Sequence, residues 1–278
     1  MKRILFGIGL LGAMAPAAYA QSLSLSVKND SIIYAADQHG NRVIDFSYCG
    51  YRNSATTIPN LPNRVYVACA GGDQSARIQK AIDYVASLPA DKNGLRGAVL
   101  LGEGTFEIVN SLRIAKSGVV LRGADKNKTV ILKKGYDRGA AVYVEGVDNR
   151  RYSDTVAIAS QYVPVNAMSL RVKDASGMKK GDLIAIARPS TAEWIAAVGC
   201  ETYGGGISSL GWKPGDNDIV WQRRITDVKG NEVSFDAPIT LAIDEKWGGG
   251  YVIRMAWNGY IENSGVENLT LTSDYDKS

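Results

Sequence analysis

The stretch Gly97–Gly135, GAVLLGEGTFEIVNSLRIAKSGVVLRGADKNKTVILKKG, decides how this chain folds. It holds four short apolar runs, Ala98–Leu101, Thr105–Ile108, Val119–Leu121 and Thr129–Leu132, set between Gly102, Gly104, Ser117-Gly118, Gly123 and the Asp125–Lys128 turn. No interval between them has room for a helix. Runs so short and so evenly punctuated by glycine predict strands of a coiled solenoid, not a layered sheet with helical crossovers.

Immediately upstream, Asp73–Leu88 carries the one clear helical pattern. Ile78, Ala81, Ile82, Val85 and Leu88 fall on one face, Asp73 is placed to cap the start, and Pro89 ends the run. A solenoid leaves apolar side chains and unpaired strand edges open on its first coil, and an amphipathic helix at that position covers them.

Taken together, Asp73-x-x-Ala76-x-Ile78-Gln79-x-Ala81-Ile82-Asp83, Gly104-Thr105-Phe106-x-Ile108, and Leu112-x-Ile114 followed by Gly118-Val119-Val120-Leu121-Arg122-Gly123-Ala124 form a set. The set resembles the amino-terminal portion of the pectate-lyase-like right-handed parallel β-helix superfamily, over roughly Asp73–Gly135. The fold class this implies is all-β: a right-handed parallel β-helix, or pectin-lyase-like solenoid, with an N-terminal capping α-helix and a small antiparallel β insertion. The superfamily contains lyases, glycoside hydrolases, epimerases and non-catalytic adhesive proteins, so the resemblance constrains fold more tightly than activity.

The remaining chain divides around this frame. Residues 1–20 read as a signal peptide: Lys2 and Arg3, an apolar run Ile4–Ala15, and the small-x-small ending Ala18-Tyr19-Ala20. That run is shorter than the roughly 20 apolar residues a bilayer span needs, and no later stretch is longer. The expectation is therefore a secreted or periplasmic chain with no membrane span. Residues 21–72 read as a short strand around Leu23–Val27 and an extended strap; its Phe46, Tyr48 and Tyr51 either pack the strap down or stack on sugar. Residues 73–147 hold the helix and first coils, 148–247 a meandering β-rich insertion with a Gly230-Asn231 hairpin turn, and 248–278 the resumed coil, including Tyr251–Ala256. Pro189–Ile195 and Trp212–Gly215 also resemble an insertion of bacterial members of the superfamily. With only three to four coils and no closing cap, the chain reads as the first part of a longer solenoid.

Charge and rare residues narrow the chemistry. The formal charge of +4 falls to +2 once Lys2 and Arg3 are removed with the leader, and no basic stripe is present, which argues against nucleic acid as a partner. His39 is the sole histidine and lies far upstream of the solenoid. That argues against serine or cysteine nucleophiles activated by histidine and against multi-histidine zinc sites. Cys49, Cys69 and Cys200 permit one internal disulfide, Cys49 with Cys69, or three buried thiols. Composition says nothing about oligomeric state.

A β-helix presents a long groove suited to an extended polymer, so the expected partner is a polysaccharide substrate of pectin-like or other uronate-containing type. The chemistry the resemblance implies is β-elimination, with a Lys or Arg base and a uronate carboxyl neutralised by calcium or a cationic side chain. Hydrolysis by paired carboxylates, or binding without catalysis, are the alternatives. The catalytic residues are not identifiable from the sequence. For substrate contact, Trp194, Trp212 and Trp221 are candidates to stack on pyranose faces, and Arg223 and Arg224 to pair with carboxylates; the tryptophans are equally candidates for the insertion's own core. Asp216 and Asp218 read as either a loose calcium loop or an ordinary polar turn.

Overall fold

The computed structural model describes residues 25–202 and 211–275. The leader expected over Met1–Ala20 lies outside the described residues. At the amino end, β1 (Leu25–Lys28) and β2 (Ser31–Tyr34) form an antiparallel hairpin in place of the expected single strand. Asn29 and Asp30 accept φ values of +50° and +57°, the left-handed backbone that a tight hairpin turn requires. The strap then runs to β3 (Asn63–Val67). Polar bonds hold it down rather than aromatic burial. Asn41 Oδ1 accepts from the Tyr162 hydroxyl and from Val165 N, Asp45 N donates to Asn166 Oδ1, and Phe46 stays 67% exposed.

Helix α1 (Ser75–Ser87) leads into a coil made of β4 (Gly97–Leu101), β5 (Gly104–Ile108) and β6 (Leu112–Ile114). Gly118 then turns the chain at φ +77°, where any Cβ would run into the Gly94 carbonyl. A second coil repeats the first: β7 (Val119–Gly123), β8 (Thr129–Lys133) and β9 (Val142–Val144). Each strand pairs in parallel with its counterpart, with Val99 opposite Leu121, Phe106 opposite Ile131 and Leu112 opposite Val142.

The unbroken apolar runs of β4 and β7 have a reason: both faces of these strands are covered. Val99, Leu101, Val119 and Leu121 point into the coil interior with Phe106, Ile108, Ile114 and Ile131. Ala98 and Val120 point the other way, under Leu61 of the strap and Leu95.

Helix α1 closes the first coil both as a lid and as a hydrogen-bonding surface. Ile78, Ile82 and Val85 join the coil's core, each contributing about 2 kcal/mol by burial. The open edge of β6 is met by Gln79, whose amide accepts from Arg113 N at 2.8 Å and donates to Arg113 O at 3.0 Å. A side chain thus supplies the two bonds that a neighbouring strand would have made. Gln74, not Asp73, is the N-cap residue. Asp73 Oδ1 instead accepts from Ser75 N, the Ser75 hydroxyl and Val109 N, joining the helix start to the coil.

Between the second and third coils the chain leaves the stack. It builds β10 (Arg151–Ala157), β11 (Tyr162–Val163), β12 (Ser169–Arg171), β13 (Leu183–Arg188), the short α2 (Ala192–Ala197), β14 (Ile219–Lys229), β15 (Glu232–Phe235), β16 (Ile243–Asp244) and β17 (Tyr251–Ala256). Six of these strands form one antiparallel sheet in the order β10-β17-β13-β14-β15-β12. Its core gathers Ile184, Ile186, Trp221, Ile225, Val233, Phe235 and Val252. Tyr251–Ala256, expected to resume the solenoid, instead lies between β10 and β13. The reason is packing: Val252 stands opposite Ile186 in the register and joins that core.

The stack resumes with β18 (Gly265–Glu267) parallel to β7 and β19 (Thr270–Ser273) parallel to β8. The chain is therefore of the all-β class, with three sets of parallel coiled strands and an insertion of two antiparallel sheets, the six-stranded one and the β11–β16 pair. Cys49, Cys69 and Cys200 are all free; Cys49 is exposed and the other two partly so, which sets aside both the disulfide and the picture of three buried thiols. Among the described residues no helix is long and apolar enough to cross a membrane.

Candidate functional site

The alternation of β14 decides what its side chains can do. Trp221 and Ile225 face the core and Gln222 and Arg224 face out. Trp221 is 6% exposed and its indole N–H donates to the Thr240 hydroxyl at 2.9 Å, so no ring face is open to a sugar. Of the two readings its sequence allowed, the structure takes the core one. Trp194 and Trp212 stack on each other, centroids 5.8 Å apart and planes 18° apart, with the Arg188 guanidinium 4.3 Å over the Trp194 ring. This stack fastens α2 to the segment after Gly211. Arg188 is buried with Nη1 unpartnered, and desolvation holds its guanidinium below the usual arginine range.

The two predicted arginines differ in kind. Arg223 donates from Nε to Ala237 O, from Nη2 to Pro238 O and from Nη1 to Gln222 O. Burial lowers its pKa and the charge of Asp236 opposes the shift. It locks the turn after β15. Arg224 instead extends a half-exposed head group, bonded to Gly181 O and 3.4 Å from a Glu262 carboxylate oxygen.

Asp216 and Asp218 do not converge. Asp216 Oδ2 accepts from Lys213 N, and Asp218 Oδ1 accepts from both the amide and the hydroxyl of Ser190. Each stabilises a turn, and among the described residues no group of three or more His, Cys, Asp or Glu is disposed to hold a metal.

Arg223 and Arg224 do, however, both line a cleft of about 810 Å³. Three distant segments wall it: the strap at Gly50–Asn53, the sheet at Leu183, Gln222–Arg224 and Asp236, and the return link at Tyr260–Asn263. The strap is tied to the other two walls. Tyr51 donates its phenol to Asn263 Oδ1 at 2.7 Å, and Asn53 donates its amide to Asp236 O at 2.9 Å. These bonds hold Arg52, Asn53 and Ser54 at φ +47°, +56° and +60°. That backbone costs non-glycine residues on the order of 1 kcal/mol each, with asparagine the more tolerant.

The cleft is polar and mixed in charge, with three guanidiniums against the carboxylates of Asp236 and Glu262. Both carboxylates engage Arg224: Asp236 Oδ1 accepts its backbone N–H at 2.9 Å, and Glu262 pairs with its head group. Arg223 is committed to carbonyls. Arg52 and Arg224, both exposed, are left with N–H groups to offer an entering anion, in the planar fork that matches a carboxylate. Sequence reading did not single out Arg52, Tyr260, Asp236 or Glu262, which come from three segments that meet only in the fold. The visible hint was Trp257-Asn-Gly-Tyr260, two aromatics around a tight turn.

No family model and no curated protein matches the chain. Among solved structures it is similar to the Gp54 tailspike of Acinetobacter baumannii bacteriophage AP22, in complex with A. baumannii capsular saccharide, at 14% identity and a TM-score of 0.41, covering 74% of this chain and 27% of that one. It is also similar to the Pseudomonas phage phi297 tailspike gp61, at 12% identity and a TM-score of 0.37, covering 72% and 28%. A third is the tailspike protein gp49 from Pseudomonas phage LKA1, at 14% and 0.37, covering 72% and 27%. The chain thus spans about a quarter of the length of these tailspikes, and likenesses at this level leave its fold and function to be argued from its own residues.

Proposed function

We propose that this protein binds an anionic polysaccharide in the cleft between Arg52 and Arg224, and that it belongs to an exported right-handed parallel β-helix protein that depolymerises such a glycan. The observation that carries the proposal is the pair of exposed guanidiniums flanking a polar cleft that also presents Tyr51 and Tyr260. Planar cations hold carboxylates bidentately, and tyrosine rings offer both an apolar face and a hydroxyl to a sugar. The parallel coils support the fold, and the leader sequence supports export.

For the reaction, β-elimination on a uronate is favoured over hydrolysis. Elimination needs a cation on the carboxyl group, so that the adjacent C–H becomes acidic, and a group to take the proton. Arg52 and Arg224 serve the first need. Hydrolysis needs two carboxylates free to face the glycosidic bond. Asp236 and Glu262 are both engaged with Arg224.

The test is to incubate the chain with a panel of uronate polymers while following ultraviolet absorbance of the unsaturated product, reducing ends and retention on immobilised glycan. Absorbance rising together with reducing ends supports the lyase. Reducing ends alone support a hydrolase, and retention alone a binder. Absence of all three on every anionic glycan overturns the proposal.

A further inference from the structure

The cleft does not end at Tyr260. A second concavity of about 500 Å³ lies beyond it, and Tyr260 and Ile261 line both. The two thus share Tyr260 and Ile261 as a common wall. Their chemistry differs. The second stretch has one arginine, Arg150, and it is committed: Nε and Nη2 reach the two carboxylate oxygens of Asp148 at 2.7 and 2.6 Å. Glu145 lines the same stretch and is ion-paired with Arg113, so both carboxylates there are already matched by arginines and no cation of the lining is left free, unlike the first stretch.

What the second stretch offers is a fixed aromatic corner. Trp257 and Tyr260 meet edge to face with centroids 5.0 Å apart and planes 70° apart. The Trp257 indole N–H is anchored on Val147 O at 2.7 Å, and the Arg150 guanidinium lies 5.1 Å over the ring. Tyr260 is left 47% exposed. A rigid ring at a trough wall suits the apolar face of a pyranose. With Arg113 and Arg150 both taken up by carboxylates, no free cation is left there to hold a second uronate.

We infer that the ligand is a heteropolymer in which an acidic sugar is followed by a neutral or N-acetylated one, the acidic unit between Arg52 and Arg224 and its neighbour against Tyr260. This rests on the proposed glycan-binding cleft and adds the substrate's composition to it.

Calorimetric titration of the full chain with two probes of equal length tests it: an oligosaccharide alternating uronate and N-acetylhexosamine, and an oligosaccharide of uronate alone. The alternating probe is expected to bind about tenfold more tightly, the equivalent of one good stacking contact. Tyr260→Ser is expected to erase that difference and Tyr260→Phe to keep it, with melting temperatures close to wild type. Arg52→Asn, which tolerates the left-handed backbone, is expected to weaken both probes. Equal or tighter binding of the all-uronate probe, or a preference that survives Tyr260→Ser, overturns the inference while leaving the cleft standing. If neither probe binds, or Arg52→Asn changes neither, the cleft reading itself falls and the inference with it.

Discussion

The Tyr51 phenol donates to Asn263 Oδ1 at 2.7 Å across 212 positions of sequence, joining the strap to the link that returns the chain to the parallel stack. It is a direct tie between two walls of the cleft. Tyr51→Phe removes the bond and leaves the ring, at an expected cost of about 1 kcal/mol. Hydrogen exchange should show faster opening at residues 50–54, with β4 and β7 unchanged. Unaltered exchange in the strap would mean that the other ties suffice without it.

The link also crosses residues 146–149 at backbone distance. Val147 N donates to Gly259 O at 3.0 Å, and a Cβ added at Gly259 would overlap the Val147 carbonyl. Gly259→Ala must displace one backbone from the other, so thermal melting should show a loss of about 2 kcal/mol or more. Gly265→Ala, where an added Cβ meets nothing within 4 Å, is the matched control and should melt like wild type. Equal melting of the two variants would refute the crossing.

Arg52 trades backbone comfort for position. Held at φ +47°, it carries strain that glycine would relieve. Arg52→Gly is expected to leave the denaturation midpoint unchanged or to raise stability by up to about 1 kcal/mol, while weakening retention on anionic glycan. A large destabilisation would show that the side chain serves the fold, not the cleft.

Acid should act on the start of α1. The Ser75 hydroxyl, and then the backbone N–H groups of Ser75 and Val109, hold the Asp73 carboxyl below its ordinary value of 3.8. A carboxylate depressed in the folded state stabilises above its unfolded pKa, and the contribution is lost as pH falls through the folded one. Asp73→Ala should therefore lower stability at neutral pH, through the lost bonds from Ser75 and Val109, and progressively less below about pH 4. Denaturant midpoints measured across pH would show the wild-type and variant curves converging in acid. Curves that stay parallel would place the effect elsewhere.

Much of the parallel stack was legible because its strands are short and Gly-bounded, with β4 and β7 apolar on both faces, and because α1 has a one-sided apolar stripe. Two things were not. Tyr251–Ala256 reads as a strand, but a strand's sequence does not name its partner; only the placement of Val252 opposite Ile186 assigns it to the antiparallel sheet. The cleft was half legible. Arg224 faces out by the alternation of β14, and the same alternation puts Trp221 inward with Ile225, a parity that the sequence carried. Arg52 and Glu262 had no local signature, because what brings them together is the path of the strap and the return link.

An anionic glycan held in the cleft walled by the strap, β14 and the return link must cover all three segments at once. Hydrogen exchange of the full chain with and without a saturating uronate-containing oligosaccharide tests it most directly. Added protection is expected at residues 50–53, 222–224 and 260–263, and none on the strand edges of β5 and β8. Protection confined to the parallel strands, with the three cleft segments unchanged, would contradict it.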